Sequence, residues 1–317
     1  MPPSVLVTRK LPSSVIKKLE ASADVDVYAG DRGMSADELR SRVAGKNALV
    51  SLLTDAVDRS VIDAASDLKI VANVAVGYNN IDVAYAKSRG VLVTHTPDVL
   101  TEAVADFTWA LILGITRRLA EGERMLRRGE WKGWALDFML GTELRGKQLG
   151  LVGVGRIGRA VAAKAAAFGM SVAYTEQREI DFPGAESMSL DRLLNTSDVV
   201  SLHVPLLPET RHLIDKRALA RMKRSAYLVN TARGPVVDEE ALAWALQQNL
   251  LAGAALDVYE NEPAVHPDLL RLENVLLVPH MASGTTETRT AMADLAASNV
   301  LAVLSGQRPL TPVPESL

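Results

Sequence analysis

Cysteine is absent from this 317-residue chain, which rules out disulfide frameworks, thiolate metal sites and cysteine nucleophiles. The absence agrees with a reducing cytoplasm, where the protein is expected to reside. An excess of positive charge is also missing. The formal charge is -3, so no broad cationic field draws nucleic acid or anionic lipid, and neither is expected as a partner. Local basic pockets for small anions remain open. No apolar run approaches the roughly 18 residues that span a bilayer, and the start MPPSVLVTRK lacks a charged leader followed by an apolar segment. HExxH, P-loop and GxSxG patterns do not occur, and His95, His203, His212 and His266 show no metal-ligand spacing. Neither a catalytic metal nor hydrolase or kinase chemistry is expected.

Aromatic residues make up only 4%, so the grouping of Trp131, Trp134 and Phe138 within the irregular stretch 130–148 is conspicuous. Such a group marks either a contact surface or a cover for the domain's own core. The preceding stretch 96–129 reads as a turn followed by one long helix, apolar in its first half and charged in its second. That helix either bridges two parts of the chain or forms a subunit interface.

What the chain does contain is a rhythm of short aliphatic runs and helical stretches, at a length that favours two domains. SVLVT (4–8), ADVDVYA (23–29), ALVSLL (48–53), LKIVANVA (68–75) and VLVTHT (91–96) read as parallel strands covered on both faces. They predict a small flavodoxin-like unit. A second series starts at QLGLVGVGRIG (148–158) and continues at 171–176, 198–206, 226–232, 252–260 and 274–280. These six runs predict one dinucleotide-binding sheet. The last amphipathic stretch, 286–306, falls too late for that alternation and is expected to return to the first domain. The fold class is therefore α/β with two doubly wound parallel-sheet domains, the flavodoxin-like one split by an inserted Rossmann domain. The expected boundaries are 1–97 with 287–317 for the split domain and 98–286 for the inserted one, with hinges near Pro97 and Ser283 to Thr288 that could open a cleft.

Gly153, Gly155 and Gly158 lie between a strand and a helix. Glycine there permits a tight turn, backbone approach to a pyrophosphate and close helix-strand packing, while the helix N-terminus attracts the anion. Glu176, at the end of the next strand, suits adenosine ribose hydroxyls and repels a 2′-phosphate, favouring NAD over NADP. Arg178 could bind that phosphate if turned inward, which leaves NADP open.

Arg233, Glu262 and His280 each follow the carboxyl end of a predicted strand in the inserted domain, where open α/β sheets place their ligands. Singly they read as a surface arginine, a solvated acid and a capping histidine. Together they suit hydride transfer to a 2-oxo acid: Arg233 grips the carboxylate, His280 delivers a proton to the carbonyl oxygen, and Glu262 orients His280 and favours its imidazolium.

With VAVGYNNID (74–82), TPDVLTEAVADFTWALIL (96–113), GVGRIG, NTARGPVVDEEAL, ALDVYENEP and PHMASGT on view, nearly the whole chain resembles the D-2-hydroxyacid dehydrogenases, most closely their glyoxylate/hydroxypyruvate reductase branch. The resemblance implies a substrate domain split by an NAD(P) domain, and a homodimer formed through the long helix and aromatic arm. It assigns catalysis to Arg233, Glu262 and His280, the substrate carboxylate to the amides of Val76 and Gly77, and the pocket lining to Leu53. Cofactor contacts implied in the same way are Thr101, Arg156, Ile157, Val204, Pro205, Thr231, Ala232, Asp257 and His280. Two departures stand out. Glu176-Gln177 replaces the Ser-Arg that such reductases often carry, and the tail ASGTTETRTAMADL looks more like hydroxyphenylpyruvate or 2-ketogluconate reductases. Phosphite dehydrogenases and NAD-sensing corepressors share the three catalytic residue types, so an inorganic anion or a purely NAD-sensing role are the competing readings. Formate dehydrogenases would require glutamine in place of Glu262.

Overall fold

Five short strands of the N-terminal region lie parallel in one sheet: β1 (Ser4–Val7), β2 (Asp24–Val27), β3 (Ala48–Ser51), β4 (Ile70–Asn73) and β5 (Leu92–Thr94). Their order, β2-β1-β3-β4-β5, is the flavodoxin-like one. β3 and β4 are buried at every position, as strands covered on both faces must be. The structure is a computed structural model and describes residues 2–178 and 180–316. Among them, no helix is long and apolar enough to cross a membrane.

Local chemistry starts the connecting helices. Ser35 and Glu38 form a reciprocal capping box, and the carboxylates of Asp58 and Asp82 accept amide bonds from Val61 and Tyr85. The late helix Thr286–Leu304 belongs to this unit, which comprises the chain up to Leu100 and from Gly284 onward. It buries Met292, Ala293, Ala296, Ala297 and Val300, and Lys18 bonds to its Asp294 at 2.7 Å.

The second unit runs from Thr101 to Ser283. Its strands are β6 (Gln148–Val152), β7 (Ser171–Thr175), β8 (Ala185–Ser187), β9 (Val199–Leu202), β10 (Tyr227–Asn230), β11 (Gly253–Leu256) and β12 (Val275–Leu277). All are parallel, in the order β12-β11-β10-β9-β6-β7-β8. Counted from β6, this is the Rossmann order with a seventh strand added beyond the sixth. Alternate residues of each strand feed opposite faces. Val152, Leu202, Leu228 and Leu256 join one core, and Leu151, Val229 and Ala255 the other. Each fully buried leucine among them contributes about 1.5–3 kcal/mol relative to exposure.

Two sequence expectations fail here. The sheet has seven strands and not six, because β8 is a three-residue edge strand, Ala-Glu-Ser, with no buried position and hence no aliphatic signature. The long helix expected over 96–129 is two helices, Thr101–Thr116 and Leu119–Arg127, separated at Arg118, whose φ is 54°. No glycine or proline announces the break. It follows from a distant segment: the amide of Thr142 donates to the Thr116 carbonyl at 2.8 Å, and Gly141 packs so close that a Cβ would lie 2.5 Å from that oxygen.

Candidate active site

The carboxyl ends of β6, β9, β10, β11 and β12 carry most of the residues singled out in the second unit. After β6 the chain turns at Gly153, whose φ of +88° only glycine adopts without strain. A Cβ at Gly158 would meet the Gly153 carbonyl oxygen at 2.4 Å, so the helix Arg156–Ala165 can approach the turn only with glycine there. That helix has no side-chain cap, and the space beside Gly155 is open. Its first-turn amides therefore meet the requirement of a pyrophosphate cradle, and these residues fit a dinucleotide.

Glu176 closes the turn from the side. Its Oε2 accepts from the amide of Val154 at 3.1 Å and its Oε1 from the amide of Gln177 at 3.0 Å. Gln177, Arg178 and Arg156 are exposed, and Ile157 packs against the core. Val204 and the backbone of His203 pack against Gly153, and Pro205 follows at the surface. The buried Thr231 hydroxyl bonds to that of Thr108 at 3.0 Å, and Thr101 begins the helix Thr101–Thr116.

Beyond β10, Arg233 donates through Nη1 to the Ala232 carbonyl at 2.7 Å. Burial lowers the affinity of its guanidinium for the proton, while the nearby Glu262 charge works the other way, so Arg233 lies within the field of Glu262. After β11, Oε2 of Glu262 lies 2.8 Å from Nδ1 of His280, and Oε1 accepts from the amide of Tyr259 at 3.1 Å. Burial opposes ionisation of Glu262. The His280 hydrogen bond and charge, the Tyr259 amide and the Arg233 charge together outweigh it and hold this carboxyl below its ordinary range. An ionised carboxylate only accepts, so Nδ1 of His280 carries the hydrogen and Nε2 is left for a ligand.

In the first unit, Leu53, Val76 and Gly77 lie on two loops held by a polar network. Asn80 donates to the carbonyls of Leu52 and Asp55 at 3.1 and 2.9 Å, and Asn73 donates to the Gly77 carbonyl at 3.0 Å. Among the described residues, no hydrogen bond takes the amides of Val76 and Gly77.

Residues 109–282 match the family described as D-isomer specific 2-hydroxyacid dehydrogenase, NAD binding domain. The chain is 49% identical to a glyoxylate reductase of Thermofilum pendens (strain DSM 2475 / Hrk 5), over 97% of this chain and 93% of that protein. The chain belongs to the D-isomer specific 2-hydroxyacid dehydrogenase family. Among solved structures, a glyoxylate reductase from Paecilomyes thermophila superposes with a TM-score of 0.90 at 32% identity, covering 100% of this chain and 99% of that one. An NADPH-dependent glyoxylate/hydroxypyruvate reductase from Sinorhizobium meliloti, in complex with NADP and malonate, gives 0.88 at 36%, covering 100% and 98%. The expected kinship and the two parallel α/β domains are thus both met.

In this family member, Asp257, already expected as a cofactor contact, and two side chains not assigned to the site from sequence, Asn230 and His203, shape the site. Asp257 is fully buried, and its two carboxylate oxygens accept from the amides of Met281 and Ala282 at 2.6 and 2.9 Å, while its carbonyl accepts from the amide of His280. These bonds hold His280 at φ 46°, a left-handed conformation that costs a non-glycine residue about 1–3 kcal/mol. Asn230 bridges the Arg233 turn, accepting from the amide of Ala232 and donating to the carbonyl of Arg233, both at 3.0 Å. His203 bonds through Nε2 to Ser201 at 2.9 Å, and burial pushes it down to about 4, so it stands neutral behind the glycine turn. The NTA spacing around Asn230 was visible in sequence. Nothing local identified the partners of Asp257.

Proposed function

We propose that this protein reduces a small 2-oxo acid, such as glyoxylate or hydroxypyruvate, to the 2-hydroxy acid, with His280 as the proton donor. The observation that carries the reading is the Glu262–His280 pair, which leaves Nε2 as the only ring nitrogen free to serve a ligand. A bound nicotinamide dinucleotide supplies the hydride. Arg233 holds the substrate carboxylate with its planar fork of donors and draws electron density from the adjacent carbonyl. As the carbonyl carbon accepts the hydride, Nε2 of the protonated His280 gives its proton to the oxygen, and Glu262 steadies the imidazolium beforehand. The amides of Val76 and Gly77 are assigned to the substrate carboxylate and Leu53 to the lining of its pocket.

Cofactor contacts are assigned to the glycine turn, Glu176 and Gln177 with Arg178, and to Thr101, Arg156, Ile157, Val204, Pro205, Thr231, Ala232 and Asp257. The relatives support the substrate class: the similarity to glyoxylate reductases of Thermofilum pendens and Thermococcus onnurineus spans almost the whole chain. Glu176 supports NADH as the preferred reductant, and NADPH use stays within the reading because the Sinorhizobium relative is NADPH-dependent. The working unit is a homodimer, supported by the exposed apolar arm of Trp131, Trp134, Leu136 and Leu140, and its place is the cytoplasm.

Steady-state assays with glyoxylate, hydroxypyruvate and hydroxyphenylpyruvate, each with NADH and NADPH, test the reading. Turnover of glyoxylate or hydroxypyruvate with the higher kcat/KM supports it. A clear preference for hydroxyphenylpyruvate, or NADH binding without turnover of any 2-oxo acid, refutes it.

A further inference from the structure

Three turns at the carboxyl edge of the second sheet are laced together by two glutamates for which the proposed chemistry has no use. Oε1 of Glu239 accepts from the amide of Glu260 at 2.6 Å, and Oε1 of Glu260 accepts from the amide of Glu239 at 3.3 Å. This reciprocal exchange ties the first turn of the helix Glu239–Gln247 to the loop after β11. Gly234 presses flat on the same loop, where a Cβ would lie 1.9 Å from the Tyr259 carbonyl carbon and 2.5 Å from the Glu260 nitrogen. A third segment joins them. Nε2 of His212 lies 2.7 Å from Oε1 of Glu260, and the His212 amide donates to the Pro235 carbonyl at 2.8 Å.

Arg233 directly precedes Gly234, and Glu262 follows Glu260 by two positions. The exchange therefore grips both loops within two to six residues of the groups assigned to substrate and proton donor. Two acids facing each other are a poor way to gain stability. Glu239 is buried, and burial holds its carboxyl above the ordinary range. Apolar side chains of similar volume would leave both amides without these acceptors, so the exchange fixes the spacing of the two segments.

We propose that Glu239 and Glu260 are positioning residues that set the separation of Arg233 from the Glu262–His280 pair. The proposal rests on the roles given above to those three residues. Displacing a catalytic group by about 1 Å can cost 10²-fold in rate, which sets the size of the effect to look for.

The full-length Glu239→Ala and Glu239→Gln variants test it, with kcat and KM for glyoxylate and NADH affinity from fluorescence quenching. Glu239→Ala is expected to lose about 10- to 100-fold in kcat/KM for glyoxylate, with NADH affinity within about 2-fold of the parent. Glu239→Gln keeps an acceptor oxygen and is expected to recover to within about 3-fold. Equal losses in both variants, a parallel loss of NADH affinity, or no loss in Glu239→Ala would overturn the proposal. Should Glu239→Ala fail to fold, His212→Ala removes the imidazole that stands against Glu260 and leaves the His212 amide bond to Pro235 in place. A drop of about 3-fold or more in kcat/KM at unchanged NADH affinity then supports the proposal, and no drop overturns it. A parent protein that binds NADH and turns over no 2-oxo acid refutes the functional reading itself, a result distinct from any of these.

Discussion

Nδ1 of His280 and Oε2 of Glu262 stand 2.8 Å apart, although the residues arise from loops after different strands. Because Glu262 is held ionised, it dictates which ring nitrogen carries hydrogen. Glu262→Gln presents either an oxygen or an NH2 group to Nδ1 and so no longer selects one form. We expect kcat to fall by about 10²-fold or more in Glu262→Gln and by about 10²- to 10⁴-fold in His280→Ala, with NADH affinity retained in both. Stopped-flow turnover together with NADH titration checks this, and a collapse of NADH binding would count against the assignment.

Arg233 is partly buried and donates to the Ala232 carbonyl. A lysine keeps the charge and loses the planar fork. Arg233→Lys is expected to raise KM for the 2-oxo acid and lower kcat/KM by about 10²-fold. Retention of near-parental kcat/KM would remove Arg233 from the substrate site.

Glu176 has its two oxygens fixed by the amides of Val154 and Gln177, so its negative charge is held at the glycine turn. Glu176→Ala removes that charge. The ratio of kcat/KM with NADPH to that with NADH should rise by about 10-fold, equivalent to 1.4 kcal/mol. An unchanged ratio would show that the carboxylate does not govern cofactor choice.

His203 offers a stability test. Burial pushes its native value down to about 4 from an ordinary 6.5. Between those limits the unfolded chain binds a proton that the native state refuses, so stability decreases as pH falls from about 6.5 towards 4 and this contribution levels off below. The loss is on the order of 3 kcal/mol when complete. Urea unfolding at pH 7 and pH 4.5 should show the parent losing more stability than His203→Gln on acidification. Equal losses would mean that the ring is solvated in the native protein.

Trp134 and Leu136 are 80% and 83% exposed, on a segment that also exposes Trp131 and Leu140. If this arm joins two copies, burying it removes a large apolar area from water at about 25 cal/mol per Å². Sedimentation of the parent should give twice the monomer mass, and the double variant Trp134→Glu with Leu136→Glu should shift to monomer. A parent that sediments as a monomer at micromolar concentration would exclude the arm as a stable interface.

Much of the fold was legible because the signals are local. Apolar runs bounded by turn residues mark the buried parallel strands, and the glycines at 153 and 158 answer a demand of backbone and packing that no other residue meets. Arg233, Glu262 and His280 stood out as candidates because each sits just past a recognisable strand, and the structure brings Glu262 and His280 together. The short edge strand β8 was not, since an edge position needs little burial and leaves little pattern. The division between Thr116 and Leu119 was hidden for another reason: the group that ends the first helix is the amide of Thr142, far along the chain.

The amino-acid order by itself determined the two parallel sheets, the glycine turn after β6 and the kinds of titratable group placed after the strands. These depend on periodicity, glycine and residue type, which a short window contains. The sequence named Glu262 as the partner of His280, and only the tertiary structure decided which atoms meet, and that Asp257 holds the amides of Met281 and Ala282 and Glu239 pairs with Glu260. A hydrogen bond is a matter of a few tenths of an ångström between groups on different loops, and the separation of loops is set by how strands twist and side chains pack. No local pattern contains that distance.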